Sequence, residues 1–226
     1  MIRISLFILS LLILHSFNTF AQRIVKLEDF SQINISGGHE LELIRSKERE
    51  LLIEMVNGNE SDINVEVTDG KLKIKTKGIF NTSRVKAKMK LKLPTWGVIS
   101  ASAGARVFSL ENWSGDDLLL KSSSGAKLKM VVNAGIVSAQ VSSGAYIALR
   151  GTAQGTKFKA SSGAELDAIE LKSNLAEVDC SSGSSVKLWV NEELRAKASS
   201  GGAVRYIGNT ERVETNKTSG GVVDRL

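Results

Sequence analysis

Apolar and polar residues alternate along the second half of the chain, and the alternation restarts at regular intervals. Each restart carries Ser-Ser-Gly or a close variant, anchored on Gly104, Gly125, Gly144, Gly163, Gly183, Gly201 and Gly220. The successive spacings are 21, 19, 19, 20, 18 and 19 residues. A fixed period of this size, combined with the two-residue period of strands, predicts an all-β solenoid, a parallel β-helix with coils of about 19 residues.

Alignment of the repeats on their glycines separates inward from outward positions. The residues five and three positions before the glycine are apolar or small, as at Phe158 and Ala160, whereas the position between them is mostly polar, as at Lys159. We therefore expect the first set to face the core and the second to face water. The pattern also predicts that Ser-Ser-Gly forms a corner with one serine inside and one outside, where a bulky residue at the glycine would block the next coil.

Asparagines recur eight residues after the glycine in four of the six repeats that extend so far. Their amides are expected to stack from coil to coil, as in the asparagine ladders of cross-β assemblies. The residues are Asn112, Asn133, Asn191 and Asn209.

The segment before the ladder alternates less regularly. Strands are predicted around Glu40–Leu43, Leu51–Glu54, Ile63–Val67 and Leu72–Lys75, with a turn at Asp69-Gly70. Atypical end segments are expected in a solenoid, because a bare terminal coil exposes an apolar face and an open strand edge. We predict a single β-helix domain over residues 22–226, with less regular coils at 22–95 and the regular Ser-Ser-Gly ladder at 96–226.

The first 21 residues have the features of an export signal. Arg3 precedes the apolar run Ile4–Leu14, and small residues stand at Thr19 and Ala21, which predicts cleavage after Ala21. The alternative, a membrane-spanning helix, needs about 20 apolar residues, and the run is interrupted at His15. The prediction is an exported protein of the periplasm, cell surface or medium, with no membrane span after cleavage.

The charge distribution limits the classes of partner, and the cysteine content limits the interactions that can stabilise the fold. The formal charge is +6, but Lys and Arg are scattered among acids, so no basic cluster indicates a nucleic-acid partner. Cys180 is the only cysteine, which excludes an intramolecular disulfide. It falls in an inward column, where a buried small residue is expected.

An ordered set of motifs resembles the DUF2807 family, the head GIN domain of putative auto-transporter adhesins. The set comprises the early Ile-Ser-Gly-Gly at 35–38, Leu-Pro-Thr at 93–95, the repeated Ser-Gly-Ala, Tyr-Ile-Gly-Asn at 206–209 and Ser-Gly-Gly at 219–221. It covers about Phe30 to Val223. The resemblance implies a right-handed β-helix in an exported bacterial protein, and it supplies no active site.

Catalysis of the kind that cleaves polysaccharides needs converging acids or an acid with a base. Stacking predicts instead that Asp179 lies between Lys159 and Lys197, that Glu177 lies between Lys157 and Arg195, and that Asp167 lies between Ala148 and Lys187. Such an arrangement is a surface charge ladder. Glu165 is the exception, since it falls beside Tyr146. The two residues could act together as an acid pair on a carbohydrate. Alternatively, the Tyr146 ring is a surface on which a sugar stacks, or simply an exposed side chain.

Two further residues are of a type that often forms sites. His39 lacks a second metal ligand nearby and is expected at the surface of a strand edge. Trp113 lies in the longest repeat, where an inter-strand loop would make it a contact residue, although packing is an alternative.

No catalytic, metal-binding or cofactor-binding residue is predicted. The favoured hypothesis is a non-catalytic domain that binds a surface glycan or an envelope protein, with Tyr146, Glu165 and Trp113 as candidate contacts. The alternatives are a polysaccharide-active enzyme and a purely structural envelope protein, and the oligomeric state is left open.

Overall fold

The structure, a computed structural model, describes residues 22–78 and 84–226 and is built almost entirely of strands. The predicted all-β solenoid is confirmed: about seven coils of ~19 residues stack on one another, with no α-helix in the two described ranges. The predicted signal segment lies outside the described residues. The strands are β1 (Gln22–Lys26), β2 (Gln32–Ser36), β3 (Glu40–Arg45), β4 (Glu50–Asn57), β5 (Ile63–Thr68), β6 (Lys71–Thr76), β7 (Lys86–Leu93), β8 (Val98–Ser102), β9 (Arg106–Ser122), β10 (Lys127–Val141), β11 (Tyr146–Ala160), β12 (Glu165–Cys180), β13 (Ser185–Ala198), β14 (Ala203–Ile207), β15 (Arg212–Lys217) and β16 (Val222–Arg225).

The predicted alternation sets the interior of the solenoid. In β10, Leu128, Met130 and Val132 are buried while Lys127 and Lys129 are exposed, as the pleat of a strand requires. The inward columns of successive coils meet along the axis and form one continuous core. Fully buried residues include Ile99, Leu120, Ala139, Phe158, Val178 and Ala196, the column five positions before the glycine.

Each of the strands β9 to β13 runs from one corner to the next and pairs in parallel with the strands of the neighbouring coils. The outward side chains of each coil fall on two surfaces. We call the leading face the one that follows a corner glycine, as at Tyr146 and Ala148, and the trailing face the one that precedes the next glycine, as at Lys157 and Lys159. The outward side chains of the two faces differ in type.

Each corner is a tight turn with two consecutive left-handed residues. Ser143 and Gly144 have φ of 52° and 66°, and the N–H of Ala145 donates to the carbonyl of Ser142 at 3.1 Å, the pattern of a type I′ turn. Two corner predictions are wrong. Neither serine enters the core, because Ser142 is half-buried and Ser143 exposed. A Cβ at Gly144 would meet nothing within 4 Å, so backbone conformation favours glycine there, not lack of space.

The N-terminal coils are stacked out of chain order. Strand β2 lies between β6 and β8, and β3 lies between β7 and β9, all in parallel. The coil formed by β2 and β3 is thus inserted between two coils that follow it in sequence. Beyond these coils the pairing becomes antiparallel, with β1 on β4, β4 on β7 and β5 on β6. The solenoid is parallel in its ladder, but not at this end.

Where neighbouring coils differ in length, a β-bulge in the longer strand contains the additional residues. Lys129 pairs with Phe108, but Val131 already pairs with Asn112, so β9 contains extra residues at 109–111. The predicted asparagine ladder is wrong between Asn112 and Asn133 for this reason: Asn112 lies beside Val131, while Asn133 lies beside Ser114 and Thr152. Asn133 instead accepts a hydrogen bond from the Thr152 hydroxyl at 2.8 Å.

Candidate functional site

The leading face carries a row in which the smallest outward residue is surrounded by larger ones. Across the strands this row runs Glu42, Phe108, Lys129, Ala148, Asp167, Lys187. Along β11, Ala148 is flanked by Tyr146 and Arg150, which point to the same side because side chains alternate. The short methyl side chain of Ala148 therefore forms the floor of a depression.

This depression is a groove of about 320 Å³, within the size range of small-ligand sites. We call it the Ala148 groove. Its outward-facing lining combines two aromatic rings, three aliphatic side chains, two cations and two carboxylates: Phe108, Tyr146, Leu110, Val131, Ala148, Lys129, Arg150, Asp167 and Glu170.

Backbone irregularities lie on both sides of the Ala148 groove. On one side the β9 bulge raises Leu110 until it is 86% exposed. On the other side, Ala148 pairs with Asp167 but Arg150 pairs with Glu170, so β12 is also bulged. The Asp167 carboxylate accepts a hydrogen bond from the N–H of Ile169 at 3.2 Å, which holds this bulge. Bulges redirect side chains and are frequent beside functional sites.

The charges around the groove are unequally compensated. Arg150 pairs with Glu170 at 3.1 Å, and Lys187 pairs with Glu165 at 3.7 Å. Within residues 22–78 and 84–226, by contrast, no carboxylate oxygen lies within 4 Å of the charged nitrogens of Arg106, Lys127 or Lys129. The acids on the β12 side are thus engaged, while the cations on the β9 and β10 side have no acidic partner among the described residues.

Tyr146 and Glu165 are brought together as the stacking predicts. They are direct partners across β11 and β12, and Tyr146 also pairs with Lys127 across β10. Partial burial, followed by the negative charges of Asp167 and Glu165, raises the pKa of the Tyr146 phenol. The phenol therefore stays protonated at neutral pH and serves as a hydrogen-bond donor beside the groove.

Trp113 lies in the core, so the hypothesis of a contact residue in a loop is wrong for this side chain and the packing alternative holds. Its indole is 1% exposed and packs against Trp96, with ring centroids 6.3 Å apart. The Trp113 Nε1–H donates to the Ser109 hydroxyl at 2.8 Å, and that hydroxyl donates to the Leu43 carbonyl at 2.9 Å. The extra residues of this repeat form the β9 bulge, and the exposed apolar residue is Leu110.

His39 is also buried, which corrects the expectation of a surface position. Its ring is 0% exposed, Nε2 lies 3.0 Å from the Thr76 hydroxyl, and Nδ1 has no partner among the described residues. Burial lowers the pKa of the imidazole below its ordinary value of 6.5. Among the described residues no group of His, Cys, Asp and Glu side chains is placed to hold a metal ion.

The trailing face carries the predicted charge ladder. Asp179 lies between Lys159 and Lys197, and Glu177 lies between Lys157 and Arg195, in the predicted register. These rows line a shallow depression of about 590 Å³. Across the strands, each of these two acids therefore lies between two cations, while along β12 the acids are neighbours on the same face.

Cys180 occupies the inward column assigned to it and is fully buried. Burial raises the pKa of its thiol. Its sulfur lies 3.1 Å from the Ser184 hydroxyl. The thiol is therefore a packed interior group. In the two described ranges, no helix has the length and apolar character to cross a membrane.

Comparison with solved structures finds the same fold. A putative adhesin from Bacteroides fragilis NCTC 9343 superposes with a TM-score of 0.81 at 19% identity, covering 91% of this chain and 96% of that chain. A putative adhesin from Parabacteroides merdae ATCC 43184 gives 0.73 at 18% identity, covering 91% and 95%. A putative lipid binding protein from Parabacteroides distasonis ATCC 8503 gives 0.67 at 16% identity, covering 91% and 96%. No curated protein matches.

The sequence itself carries the family assignment. The family model for DUF2807, described as putative auto-transporter adhesin, head GIN domain, matches residues 29–210, which includes the inserted N-terminal coil, most of the ladder and the Ala148 groove. The chain therefore belongs to the DUF2807 head GIN domain family.

Proposed function

We propose that this protein is an exported, non-enzymatic, adhesin-like domain that binds a surface or envelope partner through the leading face of its ladder. The observation that carries the proposal is the Ala148 groove, a recess with partly exposed aromatic rings on a rigid, regular scaffold. The names of the family and of its structural neighbours, which include putative adhesins, support the same role.

The arrangement of acids supports a binding role over catalysis. Glu165 and Tyr146 are neighbours, but Glu165 is paired with Lys187 at 3.7 Å. Asp167 is held by the N–H of Ile169. On the trailing face, each acid lies between two cations of the neighbouring strands, Glu177 between Lys157 and Arg195 and Asp179 between Lys159 and Lys197, which supports a surface charge ladder.

Export forms part of the proposal. Residues 1–21 act as a signal removed after Ala21. N-terminal sequencing of the protein recovered from the periplasm and medium is expected to begin at Gln22. Recovery of the uncleaved chain in the cytoplasm would contradict this part.

Binding is tested by incubating the purified protein with cell-envelope fractions, then pelleting and crosslinking. We expect retention on the envelope fraction, and reduced retention for Tyr146→Ala. The matched control is Lys159→Ala, which shortens an exposed side chain of the same strand on the trailing face. Absence of retention under all conditions would overturn the proposed function.

The enzymatic alternative has its own test. Wild-type protein and Glu165→Gln are incubated with polysaccharides, and reducing or unsaturated ends are measured. We expect no release from either protein. Release that is lost in Glu165→Gln would replace the binding role with catalysis.

A further inference from the structure

We propose that the Ala148 groove binds an acidic saccharide, with the sugar ring against Tyr146 and Phe108 and its anionic group beside Lys127 and Lys129. This inference rests on the proposed binding function and specifies the chemistry of its ligand. It follows from the shape of the groove, the nature of its walls and the position of the uncompensated charges.

The shape fits a ring more than an extended chain. Ala148 is flanked by Tyr146 and Arg150 along β11 and by Lys129 and Asp167 across the strands, so four longer side chains surround one small residue. A peptide that lies along a strand face needs a continuous channel. A recess bounded in this way receives a compact unit.

The walls match the two kinds of surface on a sugar. Tyr146 and Phe108 are both partly exposed and offer apolar faces to ring C–H groups, while a few polar groups fix orientation. The Arg150–Glu170 ion pair at 3.1 Å presents donors and acceptors side by side, which suits neighbouring hydroxyls. Asp167 adds further acceptor capacity at the opposite wall.

The charge pattern selects an anion. Arg106, Lys127 and Lys129 form adjacent exposed positions on β9 and β10, and among the described residues none has a carboxylate within 4 Å. On the β12 side, Glu170 is paired with Arg150 and Glu165 with Lys187, and Asp167 accepts a hydrogen bond from the N–H of Ile169. Of the three cations, Lys129 lines the groove and Lys127 lies next to it, across from Tyr146. A ligand with a carboxylate or sulfate gains favourable interactions there without displacing an existing ion pair.

The test measures binding of defined oligosaccharides by calorimetry. The probes are an oligogalacturonate, its methyl ester, a heparin oligosaccharide and a neutral dextran oligosaccharide of equal length. We expect the oligogalacturonate or the heparin fragment to bind, with affinity that falls as salt rises, and the uncharged probes to bind weakly or not at all. The preferred anionic probe distinguishes carboxylate from sulfate recognition.

The variant Lys127→Gln/Lys129→Gln is expected to weaken binding by about tenfold or more, as loss of charge-assisted contacts predicts. The control variant Lys157→Gln/Lys159→Gln removes the same charge from the trailing face of the same solenoid and should bind as wild type. Tyr146→Ala should also weaken binding of the anionic probe, because it removes the ring contact. Circular dichroism and unfolding curves establish that each variant is folded.

Equal binding of the oligogalacturonate and its methyl ester would overturn the inference, as would equal losses in the two double variants. Equal binding of a DNA oligonucleotide would also overturn it, because that result indicates an unspecific polyanion effect. If no saccharide binds but envelope retention persists and still depends on Tyr146, the proposed function stands and the saccharide assignment fails.

Discussion

The main-chain N–H of Gly144 donates a hydrogen bond to the carbonyl oxygen of Ser162 at 3.1 Å, which bonds the corner of one coil to the corner of the next. The same bond recurs from Gly104 to Ser124 and from Gly183 to Ser200. Left-handed geometry at both turn residues makes this possible, because it directs these backbone groups along the solenoid axis. The corners are therefore a hydrogen-bonded column in their own right.

Replacement of a corner glycine should cost stability through backbone conformation. Gly144→Ala places a Cβ at φ of 66°, and we expect a loss of about 1–2 kcal/mol in the free energy of unfolding, the cost of left-handed geometry for a residue with a side chain. Urea unfolding monitored by circular dichroism measures this loss. The control is Gly155→Ala in the same coil, where φ is not positive and the nearest atom to a new Cβ is 4.0 Å away. Equal losses in the two variants would contradict the conformational explanation.

Stability should depend on pH through His39. Burial lowers the pKa of His39 in the folded state, so the unfolded chain binds a proton more readily and stability is lost as the pH falls below about 6.5. Above that value the imidazole is neutral in both states and contributes no slope. Urea midpoints between about pH 8 and about pH 5, where histidine titrates, should fall more steeply for wild type than for His39→Gln. Parallel curves would show that His39 is not the titrating group.

The Trp113–Ser109 hydrogen bond should stabilise the fold. Ser109→Ala leaves the buried Trp113 Nε1–H without its acceptor and removes the donor to the Leu43 carbonyl. Unsatisfied buried polar groups of this kind cost about 1–3 kcal/mol. Ser185→Ala, at a partly buried outward position, should change the free energy of unfolding by less. If the two substitutions have the same effect, the bond does not stabilise the core.

Cys180 should be unreactive until the solenoid opens. It is fully buried in the ladder and burial raises its thiol pKa, so little reactive thiolate is available. Labelling by a thiol reagent should be slow in native protein and fast in urea. The control is the double variant Cys180→Ser/Gln140→Cys, whose single thiol stands at position 140 on the exposed trailing face. This thiol should react at once without denaturant. Rapid labelling of native Cys180 would indicate local opening of the coil.

Periodicity was sufficient to predict the ladder, because each inward column repeats the same kind of residue at the same distance from a glycine. It predicted that Tyr146 and Glu165 are neighbours, and that Lys159 and Lys197 flank Asp179. These relationships depend only on parallel, in-register stacking.

Features that depend on departures from the repeat were not predictable in this way. Nothing in the alternation of β2 and β3 indicates that they enter between later coils, since any of several coils offers an equivalent apolar edge. The Ala148 groove depends on where bulges fall, and a two-residue surplus in β9 has no unique position in the sequence. His39 follows two glycines like a turn residue, and only the stacking of β6 beside β2 brings Thr76 over its ring.

The intervals between corner glycines range from 18 to 21 residues, yet each corner from Gly104 to Gly201 bonds to the next. Surplus residues are therefore taken up on the faces, where lengthening a connection costs little entropy. In evolutionary terms, insertion and deletion can reshape the outward surface one coil at a time while the axial spacing stays constant. The same property makes the ladder a suitable display scaffold, in which libraries at the β9 and β12 bulges would vary recognition independently of folding.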